Sequence, residues 1–292
     1  MWAARRRLSQ ALWARPWLRA AGLLAPPLAW LLVVYLLSLA ALFLNAFWRV
    51  DEFTSEVVRD WTLDNFRTIV ESPSYRAIAL RTIGIASAVT VTDALLAFPL
   101  AYFMTRMASP RLRAALFVCV LVPLWASYLA RVYSWRLILS EEGVLNWTLG
   151  KLGLPTIGVG YSLWAMWIVF SYIWLPFMIL PVLAAIERIP DSLLEASRDL
   201  GARGLRTTAS IVVPLALPGV VAGSIFTFSL TLGDFITPQL VGGGEQLMGN
   251  VVFSNVGIAG NVPFAAAYAT IPVAVMAIYL LLARRTGAFE AL

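Results

Sequence analysis

The sequence predicts an all-α integral membrane protein with six transmembrane helices. The hydrophobic fraction is 60% and only 13% of residues are charged, about half the charge of an ordinary soluble domain, and mean hydropathy is +0.80. Apolar stretches recur six times, and arginines cluster at alternate ends of them. A helical span takes about 20 apolar residues to cross roughly 30 Å of hydrocarbon. The six stretches cover residues 22–48, 79–104, 114–139, 161–186, 211–232 and 264–283.

The first stretch follows a basic segment, residues 1–21, with Arg5, Arg6, Arg7, Arg15 and Arg19. A secretory signal peptide starts this way, but its apolar region runs about 7 to 15 residues. Here the run covers residues 22–48, so it is read as a retained first span. The link after the second span holds Arg106, Arg111 and Arg113, the link after the fourth holds Arg188, Arg198, Arg203 and Arg206, and the tail, residues 284–292, opens with Arg284 and Arg285. These segments alternate onto one side, which the positive-inside rule makes the cytoplasm. The chain is then multi-pass with both termini cytoplasmic. The intervening segments agree: residues 51–76 mix signs, residues 140–160 have Lys151 as their only basic residue, and residues 233–263 have none.

A net charge of +6 and a pI near 9.8 raise the question of nucleic acid. The arginines sit at span ends rather than on one face, so membrane orientation explains them and no nucleic-acid partner is expected. The single cysteine, Cys119, lies inside a span, which leaves no disulfide framework or metal-ligand spacing; it is read as a small buried apolar residue. No histidine is present, which removes the common zinc motifs and histidine-activated nucleophiles. No G-x-x-x-x-G-K-[ST] phosphate loop occurs.

Residues 187–210 form a polar island between apolar runs. Ser192 is placed to cap a short helix, Glu195 stands three residues on in capping-box position, and Gly201 is placed to end it. Leu193, Ala196 and Leu200 recur at i, i+3 and i+7, giving one narrow apolar face. Ala196 and Ser197 are small enough for a partner to approach the backbone. A helix of about two turns is marginal alone, so a neighbour must hold it. One reading is a cytosolic docking helix; the other is an ordinary capped loop.

The order E-A-S-x3-G-x9-I-x-V-P, from Glu195 through Gly201 to Pro214, resembles the E-A-A-x3-G-x9-I-x-L-P signature of the membrane subunits of binding-protein-dependent ABC importers. Ser197 replaces the second Ala and Val213 the Leu. The resemblance extends to P-L-W-A-S-Y-L-A-R-V-Y-S-W at residues 123–135, G-V-L-N at 143–146, L-P-F-M-I-L-P at 175–181, L-G-D-F-I-T-P-Q-L-V-G-G at 232–243 and the Gly249-Asn250 pair, which look like the spermidine/putrescine-type branch. It covers a core of about residues 75–285, within a membrane domain of residues 22–283.

This resemblance implies a type I ABC importer permease architecture in a bacterial cytoplasmic (inner) membrane. It implies a cytoplasmic coupling helix, with Ser192, Leu193, Glu195, Ala196, Ser197, Leu200 and Gly201 meeting the ATP-hydrolysing subunit. The implied partners are two ATPase subunits, a second related permease subunit forming a heterodimer rather than a homodimer, and an extracytoplasmic solute-binding protein. No cofactor is expected on this chain; ATP and Mg belong to the partner ATPase. The chain is expected to be a transport subunit and not an enzyme.

Five residues are candidates for the substrate pathway. Asp93 lies mid-span, where a carboxylate costs roughly 2.5 to 3.5 kcal/mol on insertion scales. It is read either as a cation contact or as an interhelical hydrogen bond or arginine pair. Trp125, Tyr128 and Trp135 recur at helical spacing with Arg131 and Arg136 among them, forming either an aromatic wall beside a conduit or an interfacial belt. Asp234 stands in a segment broken by Pro238 and the glycines at 242–244, tolerated at such depth only where protein or water satisfies the backbone. For a polyamine, the carboxylates supply charge and the rings cation–π attraction. A permease for another small solute and an ion-coupled secondary transporter are the alternatives, although no repeat between halves supports the latter.

Overall fold

The computed structural model describes residues 16–51 and 53–285. Arg5, Arg6, Arg7 and Arg15 and the last seven tail positions, 286–292, lie outside the described residues.

The first span comprises α1 (Pro16–Leu31) and α2 (Leu37–Asn45), joined through a π-helical turn at Leu32–Leu36, with Pro26 and Pro27 inside α1. No residue of α2 is buried. A two-stranded antiparallel hairpin follows, β1 (Arg49–Val50) on β2 (Val57–Val58), with Arg49 opposite Val58 and Val50 opposite Val57. The short α3 (Asp64–Glu71) is tied back by Asn65, whose Nδ2 donates to the Ala46 and Trp48 carbonyls at 3.0 and 2.7 Å.

The core is a three-helix unit. α4 (Pro73–Arg106) and α11 (Val213–Gly233) both pack along α8 (Leu163–Glu187) and against each other. Lipid tails are as apolar as leucine, so burying apolar surface drives little association in a membrane; close van der Waals packing of small residues does. Ala97 and Ala101 on α4 and Ala216, Gly219 and Gly223 on α11 occupy these contacts. A Cβ on Gly219 would lie 2.4 Å from Ala185 Cβ and 2.7 Å from the Pro181 carbonyl, and one on Gly223 would lie 2.7 Å from Met178 Sδ.

The third expected span, residues 114–139, is not one helix. α5 (Pro110–Trp125) stops, and α6 (Tyr128–Leu139) with α7 (Val144–Lys151) leaves at 98°. Pro123 removes an amide from the last turns of α5, and Ala126 (φ −78, ψ 145) and Ser127 (φ −55, ψ 137) take non-helical backbone at the corner. Among the described residues, five helices are thus long and apolar enough to cross a membrane by themselves, and six spans result if this bent pair counts as one crossing. Cys119 also departs from expectation. It is exposed, because α5 buries none of its residues.

Beyond α8 the chain forms α9 (Asp191–Asp199), α10 (Gly204–Thr207) and a π-helical turn at Thr208–Val212 that runs into α11. After α11 come α12 (Ile236–Val241), α13 (Met248–Gly257) and the last span, α14 (Val262–Arg284). The α9 end and the α12 end therefore cap opposite ends of the core.

Gly219→Ala is expected to lower stability by about 1 to 3 kcal/mol through overpacking, whereas Gly84→Ala, whose Cβ would meet nothing within 4 Å, loses none. Thermal unfolding of the two purified variants, in detergent with their partner subunits, checks the difference.

Candidate functional site

At one end of the core, α9 begins after Pro190, whose backbone (φ −63, ψ 140) turns the chain out of α8. No side chain caps the helix, and Ser192 lies within its first turn, so the expected capping box does not form. The fixed φ of proline places the boundary two residues earlier than the Ser192 signal does. Asp191 supplies negative charge to the first turn, where the helix dipole favours it. Gly201 (φ +78) ends the helix: its amide donates to the Arg198 carbonyl at 2.8 Å, and the Ala202 amide donates to the Ser197 carbonyl at 3.0 Å. These are the two bonds of a Schellman closure, which needs the left-handed backbone that glycine supplies.

α9 packs by Leu194 and Ser197, and the Ser197 hydroxyl lies 2.9 Å from that of Thr207, buried. Ser197 is therefore spent on internal packing and offers nothing to a partner. Leu193, Glu195, Ala196 and Leu200 face outward, with Leu200 and Leu205 each 89% exposed. The stripe at 193, 196 and 200 is an unpartnered apolar face set among charges.

At the α12 end, Tyr128 and Asp234 come together. The Tyr128 hydroxyl donates to Asp234 Oδ2 and lies 2.7 Å from Thr237 Oγ1, while the Thr237 amide donates to Asp234 Oδ1 at 2.9 Å. They border a cavity of about 340 Å³ with Trp174, Leu230 and Phe235. Trp174 stacks on Tyr128 at 5.8 Å between ring centroids and 15° between planes, and Phe177 lies 5.9 Å beyond Trp174. The arrangement offers a carboxylate with aromatic faces around it, chemistry suited to an organic cation. Arg131 stands nearby, its guanidinium carbon 6.0 Å from the Tyr128 ring centre.

Asp234 is set by glycines and an amide. A Cβ on Gly249 would lie 2.5 Å from the Asp234 carbonyl oxygen, and Asn250 Nδ2 donates to the Phe235 carbonyl at 2.8 Å. Gly243 (φ +62) passes so near Tyr161 that a Cβ would lie 1.9 Å from its carbonyl oxygen. Glu245 pairs with Arg81 of α4, and the Met248 amide donates to Thr82 Oγ1 at 3.0 Å.

The other candidates lie elsewhere. Trp125 is 91% exposed at the corner of the broken span. Trp135 pairs with Tyr172 at 5.2 Å and lines a separate hollow with Thr92 and Trp167. Asp93 of α4 is fully buried where α4 packs along α8. Neither carboxylate oxygen has a hydrogen-bond partner, and among the described residues no arginine pairs with it. Sequence reasoning missed Trp174 and Thr237. Trp174 sits in a span that is apolar all round, so periodicity does not single it out; Thr237, three residues after Asp234, is a visible Asx-turn signal.

Residues 97–287 match the family of binding-protein-dependent transport system inner membrane components. The chain belongs to this family. It is 46% identical over 98% of its length to the inner membrane ABC transporter permease protein YdcU of Escherichia coli, covering 95% of that protein. It is 34% identical over 76% of its length to the spermidine/putrescine transport system permease protein PotB of Salmonella typhimurium, covering 78% of that one. The fold is shared with a chain of a bacterial alginate ABC transporter solved in complex with its alginate pentasaccharide-bound periplasmic protein: TM-score 0.75, 18% identity, 98% of each chain covered. The chain is thus a multi-pass inner-membrane permease subunit of an ABC importer with the type I permease fold. It is a transport component, and ATP is hydrolysed by a separate subunit.

Gly249→Ala, which forces the Asp234 carbonyl away, is expected to reduce uptake in proteoliposomes while the permease still co-purifies with its ATPase. Undiminished uptake would show that the placement of Asp234 is unimportant.

Proposed function

We propose that this chain forms part of the translocation pathway for a small organic cation, a polyamine such as spermidine or putrescine. The observation that carries this reading is the Asp234 carboxylate held by Tyr128 and Thr237 beside a cavity walled by Trp174. The likeness to spermidine/putrescine permeases over three quarters of the chain supports the same solute class. Arg131 favours a second reading, in which the solute carries a negative group as well; its Nε and Nη1 are buried without hydrogen-bond partners.

In this proposal α9 is the coupling helix. Leu193, Glu195, Ala196 and Leu200 meet the ATPase, Gly201 fixes where the helix stops, and Ser197 anchors it from behind. The α9 end faces the cytoplasm with both termini, as the arginine distribution supports. The α12 end faces the solute-binding protein. Two ATPase subunits and a second, related permease complete the assembly, and ATP and Mg bind to the ATPase. Asp93 serves the α4–α8 contact rather than the solute.

Asp234→Asn and Tyr128→Phe are expected to weaken uptake of labelled spermidine or putrescine by roughly tenfold or more, the scale of one lost hydrogen bond to a charge. Reconstituted complex, with neutral and zwitterionic solutes as competitors, separates the two readings. Unchanged uptake in both variants refutes a pathway role.

Gly201→Asp and Glu195→Lys are expected to leave the membrane bundle folded but to separate ATP hydrolysis from transport or abolish assembly. Fully coupled uptake in both would remove α9 from the docking role.

A further inference from the structure

Arg106 stands where three helix ends meet. It is the last residue of α4; its Nη1 donates to Asp191 Oδ1 in the first turn of α9 at 2.5 Å, and its Nη2 donates to the Ile186 and Ile189 carbonyls at 2.9 and 2.7 Å. The Ile186 carbonyl lies in the last turn of α8 and also accepts from the Ile189 amide at 3.2 Å, and the Ile189 carbonyl lies in the link between α8 and α9. The Arg106 side chain is only 15% exposed. Beneath it, Met104 of α4 shares an apolar cluster with Ile189 and with Leu194 of α9. A planar guanidinium with a fixed fork of donors holds a carboxylate and two carbonyls together, which the point charge of lysine does not.

An exposed ion pair alone is worth little. Here the carboxylate contact is one bond of three, and the other two hold the last turn of α8 and the link that leads into α9. We infer that Arg106 is a positioning residue for energy coupling: it makes α4 travel with α9, so that a push on α9 reaches the core through α4 as well as along the chain into α8 and α11. This rests on the reading of α9 as the segment that meets the ATPase. The neighbouring Arg113–Glu187 pair joins α5 to α8 without touching α9, and it provides a local control.

The test uses the complete transporter in nanodiscs and proteoliposomes. Spin labels on Met107, just past α4, and Arg198, on α9, should report one unchanged distance in nucleotide-free and ATP-bound states of the otherwise unaltered chain. In Arg106→Ala the distance distribution should broaden and solute moved per ATP should fall roughly tenfold, within the span of known coupling energies. Arg106→Lys should fall in between, and Arg113→Gln should retain coupling. A distance that shifts by several ångströms between nucleotide states without any change at Arg106, or an Arg113→Gln variant as uncoupled as Arg106→Ala, overturns the inference. Cysteine cross-linking of α9 to the ATPase tells the two failures apart. If cross-links form and Arg106→Ala remains coupled, the clamp is wrong; if none form, the docking role itself is wrong.

Discussion

The bundle depends on how nearly α11 can lie against α8. In a bilayer, the water-driven gain from burying leucine is gone, and helices associate through packing of atoms that fit. Gly219 and Gly223 let the α11 backbone reach Ala185, Pro181 and Met178, and α8 thereby becomes the central helix. Its position then fixes both functional ends. Trp174 is carried to the aromatic wall, and the last turn of α8 presents its carbonyls where α9 begins.

Polar groups are treated differently at the two ends. Around Asp234, a short cluster of hydroxyl and amide donors converges on one carboxylate, and close glycine contacts leave its backbone little room. Around α9, charges mostly face water, while Arg106, Ser197 and Thr207 are drawn inward. The first arrangement suits a site that must keep its shape when a charged solute passes; the second suits a surface that must be recognised.

Much of this was legible in the sequence, for physical reasons. Long apolar runs identify spans because length and composition alone decide them, and unbroken helices run through five of the six runs among the described residues, the third being broken after Trp125. Gly201 announced its helix end because a left-handed backbone position strongly selects glycine. Ser192 misled because a capping residue is recognised by type, while Pro190 sets the boundary by geometry. Ser197 misled because nothing local shows that Thr207 will face it ten residues later. The corner after Trp125 is a tertiary outcome, since Pro123 alone is compatible with a kinked but continuous helix. Tyr128 and Asp234 stand 106 positions apart, and only the fold could bring them together.

That corner bears on the membrane itself. With 16 residues, α5 rises only about 24 Å at roughly 1.5 Å per residue, short of the roughly 30 Å of hydrocarbon in an average bilayer. Mismatch costs fractions of a kcal/mol per ångström and is relieved where the bilayer thins or flanking groups reach the headgroups. Trp125, exposed at the end of α5, has the amphipathic ring that settles at that boundary. The wall bearing Tyr128 therefore begins where α5 alone is too short for an average bilayer, and bilayer thickness becomes a variable that acts on the pathway from outside the protein.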